Sequence, residues 1–395
     1  MEPFKLLVSQ PEAEQIVLRN CKPLDTTVTV PIHVASGRVL AIDIMADRSV
    51  PPFNRSAMDG YAVIAEDTFG ADEGGVKLGL TGVIHAGDVS ENEVTRGHCI
   101  QIATGSPLPE GADAVVMVEY TEKHDDQILV TRPVYPGANV SKKGEDIVEG
   151  DVVLTAGSWL SPAKIGTLAA LGLTEVKVYA KPNIAVIPTG EEIVAPGNPL
   201  SPGQIYDVNS FTLEAVLREN GAEVERYAIV GDEYSLLKKA IIEASRHDMV
   251  VLSGGSSVGE KDLLAGILSE IGEVFFHGVQ IKPGKPTLFG VAYDTPVFGM
   301  PGYPTSCLSN AYVFLIPAIR QMARLPLVPP KTVAAKISKR IVSSSGRQQF
   351  LTVRIEDGIA HPVYKHSGAI TSMANADGYV ILPVNLDVIE EGETV

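Results

Sequence analysis

Four stretches of this chain set charged or hydroxylated side chains inside turns stiffened by proline or opened by glycine. The first, Pro51-Pro52-Phe53-Asn54-Arg55-Ser56-Ala57-Met58-Asp59-Gly60, puts a cation, a hydroxyl and a carboxylate ahead of the apolar run Tyr61-Ala62-Val63. Pro51 and Pro52 fix φ and withhold two backbone donors, while Gly60 is read as permitting geometry closed to other residues, so Asp59 should sit on a strand-entry loop. A surface turn in which Asn54, Ser56 and Asp59 cap their own backbone uses the same residues. The second stretch, Ser253-Gly254-Gly255-Ser256-Ser257-Val258-Gly259-Glu260-Lys261-Asp262, follows an apolar run and leads into helical spacing. Its glycines would let backbone N–H groups converge on an anion at a helix N-terminus, or would simply turn the chain. It matches neither a P-loop nor a dinucleotide fingerprint. The third, Ile281-Lys282-Pro283-Gly284-Lys285-Pro286, presents Lys282 and Lys285 on a rigid turn, fitting an oxyanion partner or a charged hairpin tip. The fourth, Gly299-Met300-Pro301-Gly302-Tyr303-Pro304-Thr305-Ser306, again joins an apolar strand to a helix.

Carboxylates accompany these loops. Glu191 and Glu192 follow Pro188-Thr189-Gly190, Asp232 follows Val230, and Asp262 ends the glycine loop. Hard oxygen ligands around a phosphate imply Mg²⁺, which takes one or two carboxylates together with phosphate and water. Each acid also reads as a helix cap or a solvated charge. Thr104-Gly105-Ser106-Pro107 and Gly144-Glu145-Asp146 are turns by their own composition, and His277 reads as a core or edge histidine.

The elements that must position these loops come from hydrophobic period. Ser9 and Glu12 form a capping box, with Pro11 in the first turn and Ala13, Ile16 and Val17 on one face. Short β-branched runs punctuated by Gly, Pro and Asp fill residues 46–145, the texture of a mostly β domain. A helix over Pro162–Leu171 should end at Gly172 and pack, with 146–180, against the N-terminal helix, making the β domain an insertion. Residues 181–328 alternate strand and helix: Ile184–Ile187, a helix capped by Asn209, Val224–Val230, a helix over Tyr234–Ser245, Met249–Leu252, a helix from Leu263, Val297–Phe298, and a final helix from Thr305. That last helix should turn Leu308, Tyr312, Leu315 and Ile319 inward and kink at Pro317. Apolar strands alternating with amphipathic helices predict a parallel sheet covered on both faces, with ligands outside the carboxyl ends of its strands. All the glycine loops and acids of this region then share one edge. Leu325–Pro330 is a stiff linker, and 331–395 shows β alternation. The fold class is multidomain α/β plus β, in four parts: 1–45 with 146–180, 46–145, 181–328 and 329–395.

A chain of 395 residues exceeds one ordinary core. The formal charge of −16 lies wholly in residues 1–330, because the last 65 residues carry seven groups of each sign. An acidic body argues against a nucleic-acid or membrane-surface binder, so any bound anion must meet a local cluster of donors. Cys21, Cys99 and Cys307 show no metal-ligand spacing and read as buried thiols of a reducing compartment. No secretory signal is visible, and Thr295–Ile319, though uncharged, carries too many Pro, Gly and Ser residues for a spanning helix. The reading is a soluble, cytoplasmic protein.

The ordered motifs SAMDGYA at 56–62, ATGSPLPEGADAVVM at 103–117, PTGEE at 188–192, SGGSSVGEKD at 253–262, and KPGKP with GMPGYP resemble the molybdopterin molybdenumtransferase family, the MoeA and gephyrin E-domain proteins. The resemblance runs over nearly the whole chain. It implies an elongated homodimer whose third domain resembles the pterin-adenylylating enzyme and whose fourth is a small β-barrel. It carries functional acids onto Asp59, Asp146, Glu192, Asp232 and Asp262, a threonine onto Thr104, lysines onto Lys282 and Lys285, and loop prolines onto Pro301 and Pro304. Substrate binding falls on Ser253, Gly254, Gly255, Ser256, Ser257, Gly259 and Gly302 beside those prolines. The implied reaction takes adenylylated molybdopterin and molybdate or tungstate, uses Mg²⁺ held by Glu192, Asp232 and Asp262, and releases AMP. The pterin-adenylylating enzyme is an implied partner. Ser256, Tyr303 and Gly278 depart from the family pattern, where Val, Asn and Lys are common. A pterin adenylyltransferase, a nucleotide pyrophosphatase or a gephyrin-like scaffold are alternatives for the same residues.

Overall fold

The computed structural model describes residues 7–254, 263–327, 331–343, 346–365 and 368–395. These fold as two compact units, one of residues 30–36 and 40–176, the other of residues up to 29, 37–39 and 177 onward.

The first unit is built on a six-stranded mixed sheet. Its strands are β1 (Gly60–Val63), β2 (Val76–Ile84), β3 (His98–Ile102), β4 (Ala114–Met117), β5 (Thr121–His124) and β6 (Gln127–Val130), in the order β4-β1-β3-β2-β6-β5. Only β2 and β3 run parallel; the other pairs are antiparallel. Tyr61, Val63, Val116 and Ile128 pack on one face and Ala62, Ile100, Ile102 and Val115 on the other, the period of two that the short apolar runs require. A helix over Pro162–Ala170 has Ser161 as its N-cap, its side chain accepting from the Lys164 N–H at 3.5 Å, and Gly172 follows at φ +76°.

The second unit opens with α1 (Gln10–Asn20), where Ser9 Oγ accepts from the Glu12 N–H at 3.4 Å. Its sheet has β7 (Asn183–Pro188), β8 (Glu223–Arg226), β9 (Met249–Ser253), β10 (Gly272–His277), β11 (Leu288–Ala292) and β12 (Thr295–Met300), ordered β8-β7-β9-β12-β11-β10. The first four are parallel, as the βαβ pattern predicts. The expectation of a wholly parallel sheet fails at β11 and β10, which add antiparallel. Their connections are too short for a crossover helix, and a tight link between neighbours can join only antiparallel strands.

Both faces of this sheet are covered. Ile184, Val186, Val251 and Phe298 pack with Leu213 and Leu217 of α2 (Asn209–Glu219), while Ala185, Ile187, Val250 and Leu252 pack with Leu237 and Ile241 of α3 (Tyr234–Ala244) and Leu264 and Ile267 of α4 (Leu263–Ile271). Burial on both sides is why these strands read as unbroken apolar runs. The N-terminal helix joins this core: Ala13, Val17 and Cys21 are buried with Ala318 and Ile319. Its narrow apolar stripe shows that it packs on something, and nothing in its period names the partner.

Two local corrections share a cause in backbone geometry. Asn209 is the first helical residue of α2, and the capping oxygens belong to Asp207, whose carboxylate accepts from the N–H of Ser210 at 3.0 Å and from its hydroxyl. The final helix is α5 (Pro304–Asn310) and α6 (Ile316–Met322) separated by a π turn at Ala311–Leu315. That wider turn shifts the face, so Tyr312 is exposed while Leu315 and Ile319 stay buried, and the irregularity precedes Pro317.

In 331–395 the central strand β13 (Gln348–Glu356) pairs with β14 (Ile359–Pro362) and β15 (Gly378–Leu382), both antiparallel. It also pairs in parallel with Ile281–Lys282, which ties the lysine turn to this region. No helix among the described residues is long and apolar enough to cross a membrane.

Cys21, Cys99 and Cys307 are all fully buried, and burial pushes the Cys21 and Cys99 thiols up to about 12 and that of Cys307 further in the same direction. The native protein should therefore resist thiol reagents at neutral pH and release three thiols only on unfolding, read by absorbance of the displaced leaving group.

Candidate functional site

The parallel strands leave the sheet at one level. Pro188 pairs with Ser253 and Ser253 with Met300, so the Thr189, Gly254 and Pro301 turns emerge side by side. They surround a cavity of about 840 Å³. Among the residues named from sequence, Glu192, Asp232, Ser253, Gly254, Pro301, Gly302 and Pro304 line it. Asp262 and Gly255, Ser256, Ser257 and Gly259 lie outside the described residues.

The turns lock onto each other through the backbone. The Thr189 N–H and hydroxyl both donate to the Ser253 carbonyl, at 3.0 and 3.2 Å, and the Gly254 N–H donates to the Met300 carbonyl at 3.1 Å. Gly254 takes φ +97°, and a Cβ there would stand 2.7 Å from the Thr189 carbonyl oxygen. This glycine allows close approach of two turns, and its own N–H is already used, so it offers no donor to an anion.

The acids reach the cavity from different elements. Asp232 follows an isolated parallel bridge between Thr189 and Val230, which continues the sheet edge past the regular strands, and it is half-buried. Glu192 folds back over Gly190, where a Cβ would lie 2.7 Å from Glu192 Oε2. Asp207, not singled out from sequence, is 6% exposed and lines the same cavity while it caps α2. The Asp-x-x-Ser spacing of a helix start was the available signal. Asn209 was seen only as a cap, yet its Nδ2 donates at 2.8 Å to the Gly302 carbonyl and so holds the Pro301–Pro304 turn.

The lysine turn touches the cavity through Pro286, while Lys282 and Lys285 are not among its lining residues. The turn is anchored from inside: buried Asn310 donates through Nδ2 to the Gly284 carbonyl at 2.9 Å and to Thr287 Oγ1, and Thr287 Oγ1 donates to the Gly284 carbonyl at 2.9 Å. Gly284, at φ +101°, leaves no room for a Cβ, which would meet the Asn310 amide at 2.4 Å.

In the other unit, Asp59 and Thr104 meet. Asp59 Oδ1 accepts from the Thr104 N–H at 2.7 Å, and its backbone carbonyl accepts from the Val118 N–H at 3.0 Å. The Asp146 N–H donates to the Val50 carbonyl at 3.1 Å and the Lys143 N–H to Asn54 Oδ1 at 2.9 Å, so the Asp146 turn is tied to the start of the Asp59 loop. Asp59, Thr104 and Asp146 are all exposed. The backbone N–H and then the hydroxyl of Thr104 hold the Asp59 carboxyl below the usual range. A depressed pKa contributes order above the unfolded value that is lost as pH falls through the folded one. Carboxylate NMR should therefore show Asp59 titrating below an unhindered aspartate, and Thr104→Pro, which removes the donor, should return it upward.

Comparison with known proteins places this geometry in a lineage. Three family models match successive stretches: MoeA N-terminal region (domain I and II) over residues 8–172, probable molybdopterin binding domain over 185–321, and MoeA C-terminal region (domain IV) over 334–395. Molybdopterin molybdenumtransferase 2 of Mycobacterium tuberculosis is 36% identical, with 95% of this chain and 94% of that protein aligned. The molybdopterin molybdenumtransferase of Haemophilus influenzae is 34% identical over 92% and 91%. The crystal structure of a molybdopterin biosynthesis MoeA protein from Pyrococcus horikoshii superposes with a TM-score of 0.83 at 41% identity, covering 98% and 97% of the two chains.

Proposed function

The chain belongs to the MoeA family, and on that premise we propose that it is a molybdopterin molybdenumtransferase, inserting molybdenum into molybdopterin during molybdenum cofactor biosynthesis. The observation that carries this reading is the acidic cavity at the carboxyl edge of the sheet, inside the stretch that matches a molybdopterin binding domain. Glu192, Asp207 and Asp232 line it, and its described lining residues include no Lys or Arg. A phosphate-bearing ligand entering such a cavity meets like charge, which a divalent cation would neutralise.

The substrate in this proposal is adenylylated molybdopterin, with molybdate or tungstate as the metal source and Mg²⁺ as the cation. Glu192 and Asp232, both on the cavity wall, would hold Mg²⁺ with Asp262 as the third assigned acid, and the two carboxylates present suit an ion that keeps waters and phosphate oxygens and needs only one or two. Bound there, Mg²⁺ would withdraw charge from the anhydride oxygens. The chain's own groups do the rest. The Thr189, Gly254 and Pro301 turns, bonded to one another, keep the acids at fixed spacing, and Ser253, Gly302 and Pro304 shape the wall against the ligand. The remainder of the glycine loop, Gly255, Ser256, Ser257 and Gly259, is assigned to phosphate. Lys282 and Lys285, on the turn that meets the cavity through Pro286, are assigned to charge developing on a leaving phosphate that reaches that rim. Water adds across the anhydride, so that AMP departs and the other phosphate stays on the pterin, and the two dithiolene sulfurs bond the metal as one oxo ligand of the oxyanion leaves as water with the two thiol protons. Asp59, Thr104 and Asp146 are assigned to molybdate or the pterin in a homodimer, with a pterin-adenylylating enzyme as supplier and the cytoplasm as compartment. The four sequence segments, the last a β-barrel, remain the proposed domain division.

The test incubates the purified chain with adenylylated molybdopterin, Mg²⁺ and molybdate or tungstate, following AMP and pterin-bound metal together. Coupled appearance supports the transferase. AMP without inserted metal would mark a pyrophosphatase, and intact substrate would remove the catalytic reading.

A further inference from the structure

Beside its acids, the cavity is lined by Leu200, Ile205, Tyr206 and Tyr303, all large and apolar and all exposed, Tyr303 to 65%. Single exposed hydrophobics are ordinary on a protein surface. Four around one concavity follow the pattern of ligand sites, where apolar and aromatic walls accompany a few polar groups. Tyr303 is the most exposed of the four, and its backbone is held through its own carbonyl and the one before it. It precedes α5 with φ −71° and ψ 128°, between Gly302 and Pro304. The carbonyl before it is bound by Asn209 Nδ2 at 2.8 Å, and its own carbonyl accepts from the Cys307 N–H at 2.9 Å. A fixed backbone thus offers an uncovered ring. Tyr206 is fixed at the other end, its hydroxyl donating to the Asn198 carbonyl at 2.9 Å.

We propose that Tyr303 is a stacking platform for a planar nitrogen heterocycle, with Tyr206 as a second aromatic wall of the same subsite. The inference rests on the cavity being the pterin nucleotide site, whose substrate carries two such rings, adenine and pterin. A ring laid on a tyrosine face gains dispersion and sheds water without needing a polar partner, worth about tenfold or more in affinity. Stacking of an unreacting ring contributes equally before and during the chemical step, so its loss belongs in KM and not in kcat.

The experiment titrates the full chain, with Mg²⁺, against AMP and separately against fluorescent hydroxymethylpterin. In Tyr303→Ala, affinity for one of the two compounds should fall about tenfold. Tyr303→Phe should keep wild-type affinity, since the ring face remains. The compound affected tells which heterocycle stacks, and for the pterin the wild-type quenching of emission should vanish with the ring. Both variants should melt with the wild type, because the side chain is exposed. Tyr303→Ala binding both compounds as the wild type does, or Tyr303→Phe losing as much as Tyr303→Ala, would overturn the stacking role and leave the transferase reading standing. A wild-type chain that binds neither compound would overturn the assignment of the cavity, and the stacking role with it.

Discussion

Replacing Asp232 by asparagine should lower coupled AMP release and metal insertion by about 10²- to 10³-fold, the scale of the several kcal/mol that a bound cation supplies to a developing phosphate charge. The side chain is half-buried on the cavity wall, just past the bridge that joins Thr189 to Val230. Asparagine keeps its size and most of its hydrogen bonding while removing its charge, so the fold should be untouched and the melting profile unchanged. The Mg²⁺ concentration for half-maximal rate should rise, because Glu192 would face the cation with one carboxylate fewer. Glu192→Gln should behave alike, and the double variant should lose less than the product of the two, since both act through one ion. Rates measured across a Mg²⁺ titration check this. An Asp232→Asn chain with wild-type rate at every concentration would show that the cavity acids do not serve a cation.

Gly60→Ala should destabilise the first unit by about 2–4 kcal/mol, the range of an overpacked core that cannot relax cheaply. From the sequence, this glycine looks like a residue needed for unusual backbone angles. The structure gives another cause. Gly60 sits in β1, between Met117 of β4 and Ile102 of β3, and an added Cβ would stand 1.9 Å from the Val116 carbonyl oxygen. The obstacle is backbone on a paired strand, so relief means prising β1 from β4. Asp59, one residue earlier and bonded through its carbonyl to Val118, would move with it, and insertion activity should fall alongside stability. Gly70→Ala is the control: its φ of +83° imposes strain but nothing lies within 4 Å, so it should cost about 1 kcal/mol. Amide exchange at Tyr61 and Val116 separates the two, accelerating in Gly60→Ala alone.

Much of the architecture was legible because the relevant physics is local. The Met249–Leu252 run could only be a strand buried on both faces, and it is. Ser9 caps the helix that its spacing with Glu12 announces. The turns after the strands at Ile184, Met249 and Val297 had to share an edge once the sheet was parallel there, so Thr189, Gly254 and Pro301 surround one cavity. Less legible were features set by partners distant in sequence. Nothing in the Leu288–Ala292 run shows that β11 reverses direction between its two neighbours, since strand period is the same in either sense. Asn310 reads as an ordinary helical residue, yet it holds the lysine turn 26 residues earlier in the chain. Asp207 caps α2 where Asn209 was expected to, and its place on the cavity wall depends on where α2 docks.

Family membership was readable from the order of the motifs along the chain, because glycine, proline and carboxylate spacing act within a few residues and survive without knowledge of the fold. The approach of distant segments set why particular glycines are required, which lysines stay off the cavity lining, that α1 completes the α/β core, and that Tyr303 lines the cavity. These depend on the approach of segments tens to hundreds of residues apart, where packing distance rather than local propensity sets the outcome.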